Sequence, residues 1–459
     1  MYLRLIRLFT SFLLLGLLTV SCSGDDKDNE PPVPPTRTVI VYIAGENSLT
    51  DQMLNDVNEI KSGACQMKDG ERIVLFYDNK GLSTITVLDN KSTLGTKATY
   101  TFESNQDACD PLTLRKVLNW AAEHCPAPEY GLVFGSHASS WLPSTDITPQ
   151  RAVTASSGGM QFSFGIDNGQ GNANDTGSQM EISDMAAALE ASNLHFKYIF
   201  FDACVMQSIE CLYDLRNTAE YIIGSPASTP GDGAYYTHQI SSGLFSDDPS
   251  DIARTFMSDV RNKMSPTYIQ GAVISVVKTE YLDELARTTR EMLLKNIDQL
   301  PKPYPDMSGV QRYLEFRSKL YFQPDYFDAG IGIHRILPEE DAIAWENLLN
   351  KAIVYKDGTS SFYGYTFSNN GFLTLSPTFS GVSMFVPQLK YYVYSTGQLA
   401  IYGNHNENFK KTSWYKAAGW GEAGYEGPFT GRKQPAGSQS AHPHSINTSL
   451  LLLFDIINK

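Results

Sequence analysis

Runs of consecutive β-branched and aromatic residues, each followed by apolar residues at helical spacing, constrain this chain more than any other feature. Residues 38–44 read Thr-Val-Ile-Val-Tyr-Ile-Ala, residues 73–77 Ile-Val-Leu-Phe-Tyr, residues 130–135 Tyr-Gly-Leu-Val-Phe-Gly, and residues 197–201 Lys-Tyr-Ile-Phe-Phe. A strand with one wet face alternates polar and apolar residues, whereas a run apolar at nearly every position fits a strand covered on both faces, as in a parallel sheet. Between these runs, Asn47 and Ser48 offer an N-cap to Leu49, Met53, Leu54, Val57 and Ile60. Asp110-Pro111 opens a second helix, and residues 181–191 and 206–215 read as two more. Residues 84–88, 99–102 and 221–223 add shorter strands. The alternation predicts an α/β fold with a mainly parallel sheet flanked by helices.

After about residue 240 the pattern weakens. Helices are expected over 251–264, 281–297 and 341–353, followed by a Tyr- and Ser-rich stretch with short strands such as 381–387. The Pro-rich turn at 301–305 divides a core, residues 37–300, from an α+β C-terminal region, residues 301–459, packed on it.

Lys+Arg number 36 against 50 Asp+Glu, a net charge of −14. A nucleic-acid binder needs a basic face, so no nucleic-acid partner is expected. Residues 1–21 form a leader: Arg4 and Arg7 precede a Leu-rich run of about a dozen residues, shorter than the ~20 needed to span a bilayer. The leader ends Leu18-Thr19-Val20-Ser21-Cys22, which resembles a bacterial lipoprotein lipobox, with Cys22 the lipidated residue. Residues 22–36 are acidic and then Pro-rich, an extended tether. The acidic run after Cys22 resembles the surface-export signal of Bacteroidetes lipoproteins, which implies an outer-membrane or cell-surface protein whose only membrane contact is its N-terminal lipid.

Cys65, Cys109, Cys125, Cys204 and Cys211 then remain, an odd number without C-x-x-C spacing. At least one thiol is expected to be free or paired between chains, and neither a zinc site nor a redox dithiol is indicated. His442-Pro443-His444 could ligate a metal, but its proline and the lack of further ligands favour a surface loop. Asp167, Asn168, Asn172, Asn174 and Asp175 are oxygen-rich without an EF-hand pattern, so no cofactor is predicted and Ca²⁺ stays open.

Two strand ends carry chemistry. Ligands of open α/β sheets collect beyond the carboxyl ends of the strands, where this chain delivers His137 and Cys204. A free thiol is only a few per cent thiolate at neutral pH, so a nucleophilic cysteine needs an imidazole or a helix N-terminus beside it. Cys204 is expected to open the 206–215 helix. Each residue alone is as readily a structural group, and a non-catalytic surface binding protein is the alternative to an enzyme.

Phe134-Gly135-Ser136-His137-Ala138-Ser139-Ser140-Trp141 and Phe200-Phe201-Asp202-Ala203-Cys204-Val205-Met206 resemble the His and Cys motifs of the clostripain family of cysteine peptidases. Residues 42–49, Gly231-Asp232-Gly233-Ala234-Tyr235 and residues 414–420 resemble further segments of that family in the same order. The resemblance implies a caspase-like fold and an endopeptidase acting on peptides with basic residues. It implies that Cys204 is the nucleophile, His137 the general acid/base, and the amides of Ala138 and Cys204 the oxyanion hole. It places the S1 carboxylates at Asp202 and Asp232, the latter equally a turn residue by its local sequence. It implies activation by self-cleavage in the loop after His137, where Arg151 is the single basic residue before Lys197. One departure is Ala138, where the family usually has Gly. A left-handed backbone there costs Ala about 1 kcal/mol or more and tilts its amide.

Overall fold

Strand β1 (Arg37–Ala44) is buried at all 8 positions and lies between two parallel neighbours, the environment its unbroken apolar run requires. It is followed by α1 (Thr50–Gly63), β2 (Glu71–Asp78) and a hairpin of β3 (Thr84–Leu88) with β4 (Tyr100–Thr101). Next come α2 (Pro111–His124), β5 (Tyr130–Gly135), the small pair β6 (Phe164–Asp167) and β7 (Ser178–Met180), α3 (Ile182–Glu190) and β8 (Phe196–Asp202). Then follow α4 (Ile209–Asp214), β9 (Ala219–Gly224), α5 (Tyr236–Ser242), α6 (Ser250–Asn262), β10 (Val273–Lys278) and α7 (Leu282–Lys295). The C-terminal part adds β11 (Phe327–Asp328), α8 (Ala329–Ile333), α9 (Glu339–Ala352) and β12 (Ile353–Gly358). This is a computed structural model, and it describes residues 34–142, 163–169, 177–314, 326–364, 369–388 and 405–425. Cys22, Arg151, Asn172, Asn174, Asp175, His442 and His444 lie outside the described residues.

Nine strands make the main sheet in the order β12-β10-β9-β8-β5-β1-β2-β3-β4. The five in the middle, from β9 to β2, are parallel, whereas β3 and β4 on one side and β10 and β12 on the other add antiparallel. The mainly parallel character is thus that of the centre, with antiparallel wings at both edges. From β1 the chain builds first toward β2 and then, after the β3–β4 hairpin, crosses to β5 on the other side. The order therefore switches between β1 and β5, the place where open α/β sheets leave a crevice.

Alternate side chains of β1 feed two cores. Ile40, Tyr42 and Ala44 pack with Leu114, Leu118, Met185 and Leu212 of α2, α3 and α4. Val39, Val41 and Ile43 pack with Met53, Val57, Ile240 and Phe256 of α1, α5 and α6. Each such buried aliphatic or aromatic side chain contributes about 1.5–3 kcal/mol, so two covered faces fix the register of the central strands. Asp110 caps α2 as its sequence predicts, its side chain accepting from Leu112 N at 2.9 Å with Pro111 next in line. The five described cysteines all carry free thiols. No helix among the described residues is long and apolar enough to cross a membrane.

Candidate active site

Strands β5 and β8 are neighbours, with Gly135 paired to Asp202 at their carboxyl ends. His137 and Cys204 each stand two residues beyond that pair, so the register sets both just past the carboxyl ends of neighbouring strands. The turn after β1 forms the adjoining wall. Its buried Asn47 donates from Nδ2 to Ala44 O at 2.9 Å, to Ile166 O at 3.0 Å and to Ser136 Oγ at 3.2 Å. One amide thus ties β1, the residue before His137 and β6 together. Ser48 is not a helix cap: its Oγ lies 2.9 Å from His137 Nε2, while Asn47 Oδ1 accepts from Leu49 N at 2.9 Å. A hydroxyl on one ring nitrogen holds the orientation of the imidazole and suits either tautomer, since it can donate or accept.

His137 is half-buried, and its carbonyl accepts from Gly165 N at 2.8 Å. Ala138 bridges to Phe164. The left-handed residues of this segment are Ser140, at φ 72°, and Ser163, at φ 98°; Ala138 is not among them. The backbone at 138 therefore carries no strain that glycine would relieve. Trp141 packs on Phe385 and Phe409, within the core.

Cys204 does not open a helix. Val205 takes a left-handed φ of 53°, uncommon for a β-branched residue, and turns the chain sharply after the cysteine. Val205 N then donates to Ala227 O at 2.9 Å and Gln207 N to Ser225 O at 3.1 Å, holding the segment against the chain that follows β9. Helix α4 starts only at Ile209, capped by the Ser208 side chain. Cys204 Sγ instead accepts from Thr229 N at 3.4 Å. Burial pushes its thiol up, the charge of Asp202 adds to this, and contacts with Thr229 and Ser228 pull the other way. Such a thiol depends on a base rather than resting as a thiolate.

Asp202 is buried beneath the 231–234 turn. Its Oδ2 accepts from Ala234 N at 2.8 Å and from the Tyr236 hydroxyl at 3.0 Å, while its buried Oδ1 has no partner. Gly233, at φ 61°, permits this approach, because a Cβ there would stand 2.6 Å from Asp202 Oδ2. Burial raises the Asp202 carboxyl to about 6 against the two bonds it accepts. Asp56 and Glu59 of α1 face the same region. Burial pushes Asp56 well up, reinforced by Asp202, and raises Glu59, which accepts from Tyr236 N, to about 7. Asp232 is half-buried, and its Oδ2 takes bonds from Ser265 Oγ, from Thr267 Oγ1 at 2.8 Å and from Thr267 N at 3.2 Å. That oxygen pins the turn at Pro266–Gln270, and the other takes none of these bonds. The sequence pointed to Asp202 and Asp232 but gave no sign of Ser48, Thr229, Asp56 or Glu59, whose positions follow only from the folded chain.

A thiol and an imidazole at adjoining strand ends, with backbone amides at both turns and carboxylates behind, have the parts for acyl transfer to a thiol and recognition of a cation. A surface hollow of about 690 Å³ lined by Thr36, Arg37, Glu71 and Glu129 lies instead at the amino ends of β1 and β2.

The sequence profile of the clostripain family, peptidase C11, matches residues 41–425. A secreted C11 cysteine protease from Bacteroides thetaiotaomicron, solved in complex with an irreversible peptide inhibitor, is similar at 28% identity and a TM-score of 0.67, over 84% of this chain and 99% of that one. An inactive zymogen C11 protease from Parabacteroides distasonis is similar at 26% identity and a TM-score of 0.65, over 85% and 99% of the two chains. Another secreted C11 cysteine protease from B. thetaiotaomicron, at 22% identity and a TM-score of 0.66, shares the fold. The comparison with curated proteins gives no match.

Proposed function

The chain belongs to the clostripain family, a cysteine-type peptidase of caspase-like α/β fold, and from that premise we propose an endopeptidase that cleaves after Arg or Lys through Cys204 and His137. The observation that supports the dyad is the pairing of Gly135 with Asp202, two residues before His137 and Cys204 on neighbouring strands. His137 takes the thiol proton as Cys204 Sγ attacks the scissile carbonyl. The amides of Ala138 and Cys204 hold the oxyanion, and His137 then protonates the departing amine. Water, activated by the same imidazole, releases the acyl group from Cys204. Ala138 is the main argument for the alternative of an impaired binding protein, and a backbone outside the left-handed region there speaks against it.

The basic preference rests on Asp202. A buried carboxylate with one unpartnered oxygen is costly, and a guanidinium or ammonium group offsets that cost with a charge-assisted bond. Asp232, with one oxygen outside its turn bonds, adds negative charge at the rim.

Activation follows cleavage after Arg151. Wild-type chain, followed by mass spectrometry, is expected to split at Arg151 into two fragments that stay together and then to turn over Arg and Lys peptides. Arg151→Gln is expected to stay intact with activity at least about tenfold lower. Full activity in an uncut Arg151→Gln chain would overturn the zymogen reading.

A lipid on Cys22 places the enzyme on the outer membrane or cell surface. Cys22→Ser is expected to lose incorporated fatty acid and to move from the membrane fraction to the supernatant. Labelling equal to wild type would refute the anchor.

A further inference from the structure

The side chain of Asp202 belongs to the sheet face that α1, α5 and α6 cover. It alternates in step with Tyr198 and Phe200 of β8, and both of these pack in that core with Met53, Val57 and Ile60 of α1. A carboxylate placed there needs donors, and the fold gives it two on one oxygen: Ala234 N and the Tyr236 hydroxyl, at 2.8 and 3.0 Å from Oδ2. No donor reaches Oδ1, and Asp202 forms no ion pair among the described residues.

Tyr236 is fixed at both ends. It is the first residue of α5 and wholly buried, and its own N donates to Glu59 Oε2 of α1 at 2.9 Å. The two helices approach closely beside that bond: a Cβ on Gly63 would stand 3.0 Å from Ile240 Cδ1 and 3.1 Å from Thr237 Cα. The ring sits in the core with Ala234 and Tyr268. The Tyr268 hydroxyl donates to Gly233 O at 2.9 Å, so the turn that supplies Ala234 N is held as well.

Both donors are neutral, and their neutrality bears on what they do. An Arg or Lys beside Asp202 would offset its charge and leave a substrate cation little to gain. An amide and a phenol favour the ionised carboxyl by hydrogen bonding alone and keep its charge. With both donors on Oδ2, the carboxyl group is also held in one orientation, and Oδ1 is the oxygen left for a guanidinium or ammonium group.

We propose that Tyr236 is a positioning residue for basic P1 side chains: its hydroxyl, braced through the backbone by Glu59, keeps Asp202 ionised and turned so that Oδ1 serves the cation. The inference rests on the S1 reading of Asp202 and adds a residue that acts through it. The titratable groups around the pair are Asp56 and Glu59 of α1, Asp232 of the turn, the Tyr268 phenol, the Cys204 thiol, and Asp259 of α6 with His238 bonded to it at 2.7 Å. His137 stands at the neighbouring strand end. All of these are kept in Tyr236→Phe, so the difference between that variant and wild type reads the hydroxyl.

The test compares two peptides that differ only at P1, Arg against norleucine, across the acid and neutral range. The full chain is used as wild type, Tyr236→Phe, Asp202→Asn and the double variant. The readout is the ratio of kcat/KM on the two peptides, from which differences in self-activation and in His137 cancel. In wild type the ratio is expected to fall below about 6, where Asp202 takes up a proton. Removing one donor to the ionised carboxyl is expected to raise that midpoint by about one unit or more, so that at pH 6 the ratio in Tyr236→Phe is about fivefold below wild type. Phenylalanine keeps the ring in the core and leaves Ala234 N on Oδ2, so the fold is retained. Added to Asp202→Asn, Tyr236→Phe is expected to change the ratio by less than about twofold at any pH, since no carboxyl remains for the hydroxyl to hold. A wild-type midpoint in Tyr236→Phe, or an equal loss with and without Asp202, would overturn the role of Tyr236 and leave the S1 reading in place. A ratio that Asp202→Asn does not lower would instead overturn the S1 reading, and the role of Tyr236 with it.

Discussion

Cys204→Ala is expected to lower kcat on Arg peptides by on the order of 10⁵-fold or more, with the fold and the Tm unchanged. The side chain is small and half-buried, and its polar contacts are with Thr229 and Ser228, so alanine opens little space and costs few bonds. His137→Ala is expected to cost about as much, and the double variant no more than either single one, because a nucleophile and its base act as a unit. Additive losses in the double variant would argue against the dyad. The resting thiol supplies a second readout. Burial and the Asp202 charge raise its pKa, so it stays protonated at neutral pH. Inactivation by iodoacetamide is therefore expected to climb steadily through and above the ordinary thiol range near about 8.5. A plateau beginning several pH units lower would mean a preformed thiolate–imidazolium pair, and His137 would then act first as a counter-ion and only later as an acid.

That protonated thiol marks where sequence and structure part. Strands β1, β2, β5 and β8 were legible because a strand covered on both faces leaves an unbroken apolar run, and His137 and Cys204 stand out because they interrupt the pattern at strand ends. The helix start at Cys204 was not legible. Residues 206–215 have helical periodicity, but Gln207 and Ser208 are buried polar anchors: Ser383 N bonds to Gln207 O at 2.9 Å and Gln207 N to Ser225 O, so tertiary bonds hold the first turn open. Ser48 reads locally as a cap, yet its partner is a histidine 89 positions away. The strand β12 was hidden because α9 passes into it directly, with Ala352 ending one and Ile353 beginning the other. Partners distant in sequence leave no mark on local periodicity, and each of these misses was decided by one.

Asp202→Asn is expected to cut kcat/KM for Arg and Lys peptides by on the order of 10²–10⁴-fold, about 3–5 kcal/mol, the usual penalty for leaving one charge of a buried pair alone. Peptides with a neutral P1 residue are expected to keep their rates, and a uniform loss on both classes would place Asp202 outside S1. Asp232→Asn is expected to cost less, about tenfold or below, since that carboxylate is more exposed and partly committed to Ser265 and Thr267. The pH dependence has a definite sign. Binding a cation needs ionised Asp202, and its carboxyl titrates near 6 in the free enzyme. The ratio of kcat/KM on Arg to that on neutral peptides should therefore fall about tenfold per unit below pH 6, whereas His137 affects both substrates and cancels from the ratio. In Asp202→Asn the ratio should be flat. Stability moves in the opposite sense. Raised from 3.8 to about 6, Asp202 holds a proton in the folded state that the unfolded chain has lost across that window, so its contribution falls as pH rises through it. Above pH 7 the asparagine variant is accordingly expected to melt at a higher temperature than wild type, with Oδ1 of the amide still accepting from Ala234 N and the Tyr236 hydroxyl. A gain in stability paired with a loss confined to basic substrates is the signature of a carboxylate kept buried and half-partnered for the sake of a cationic ligand.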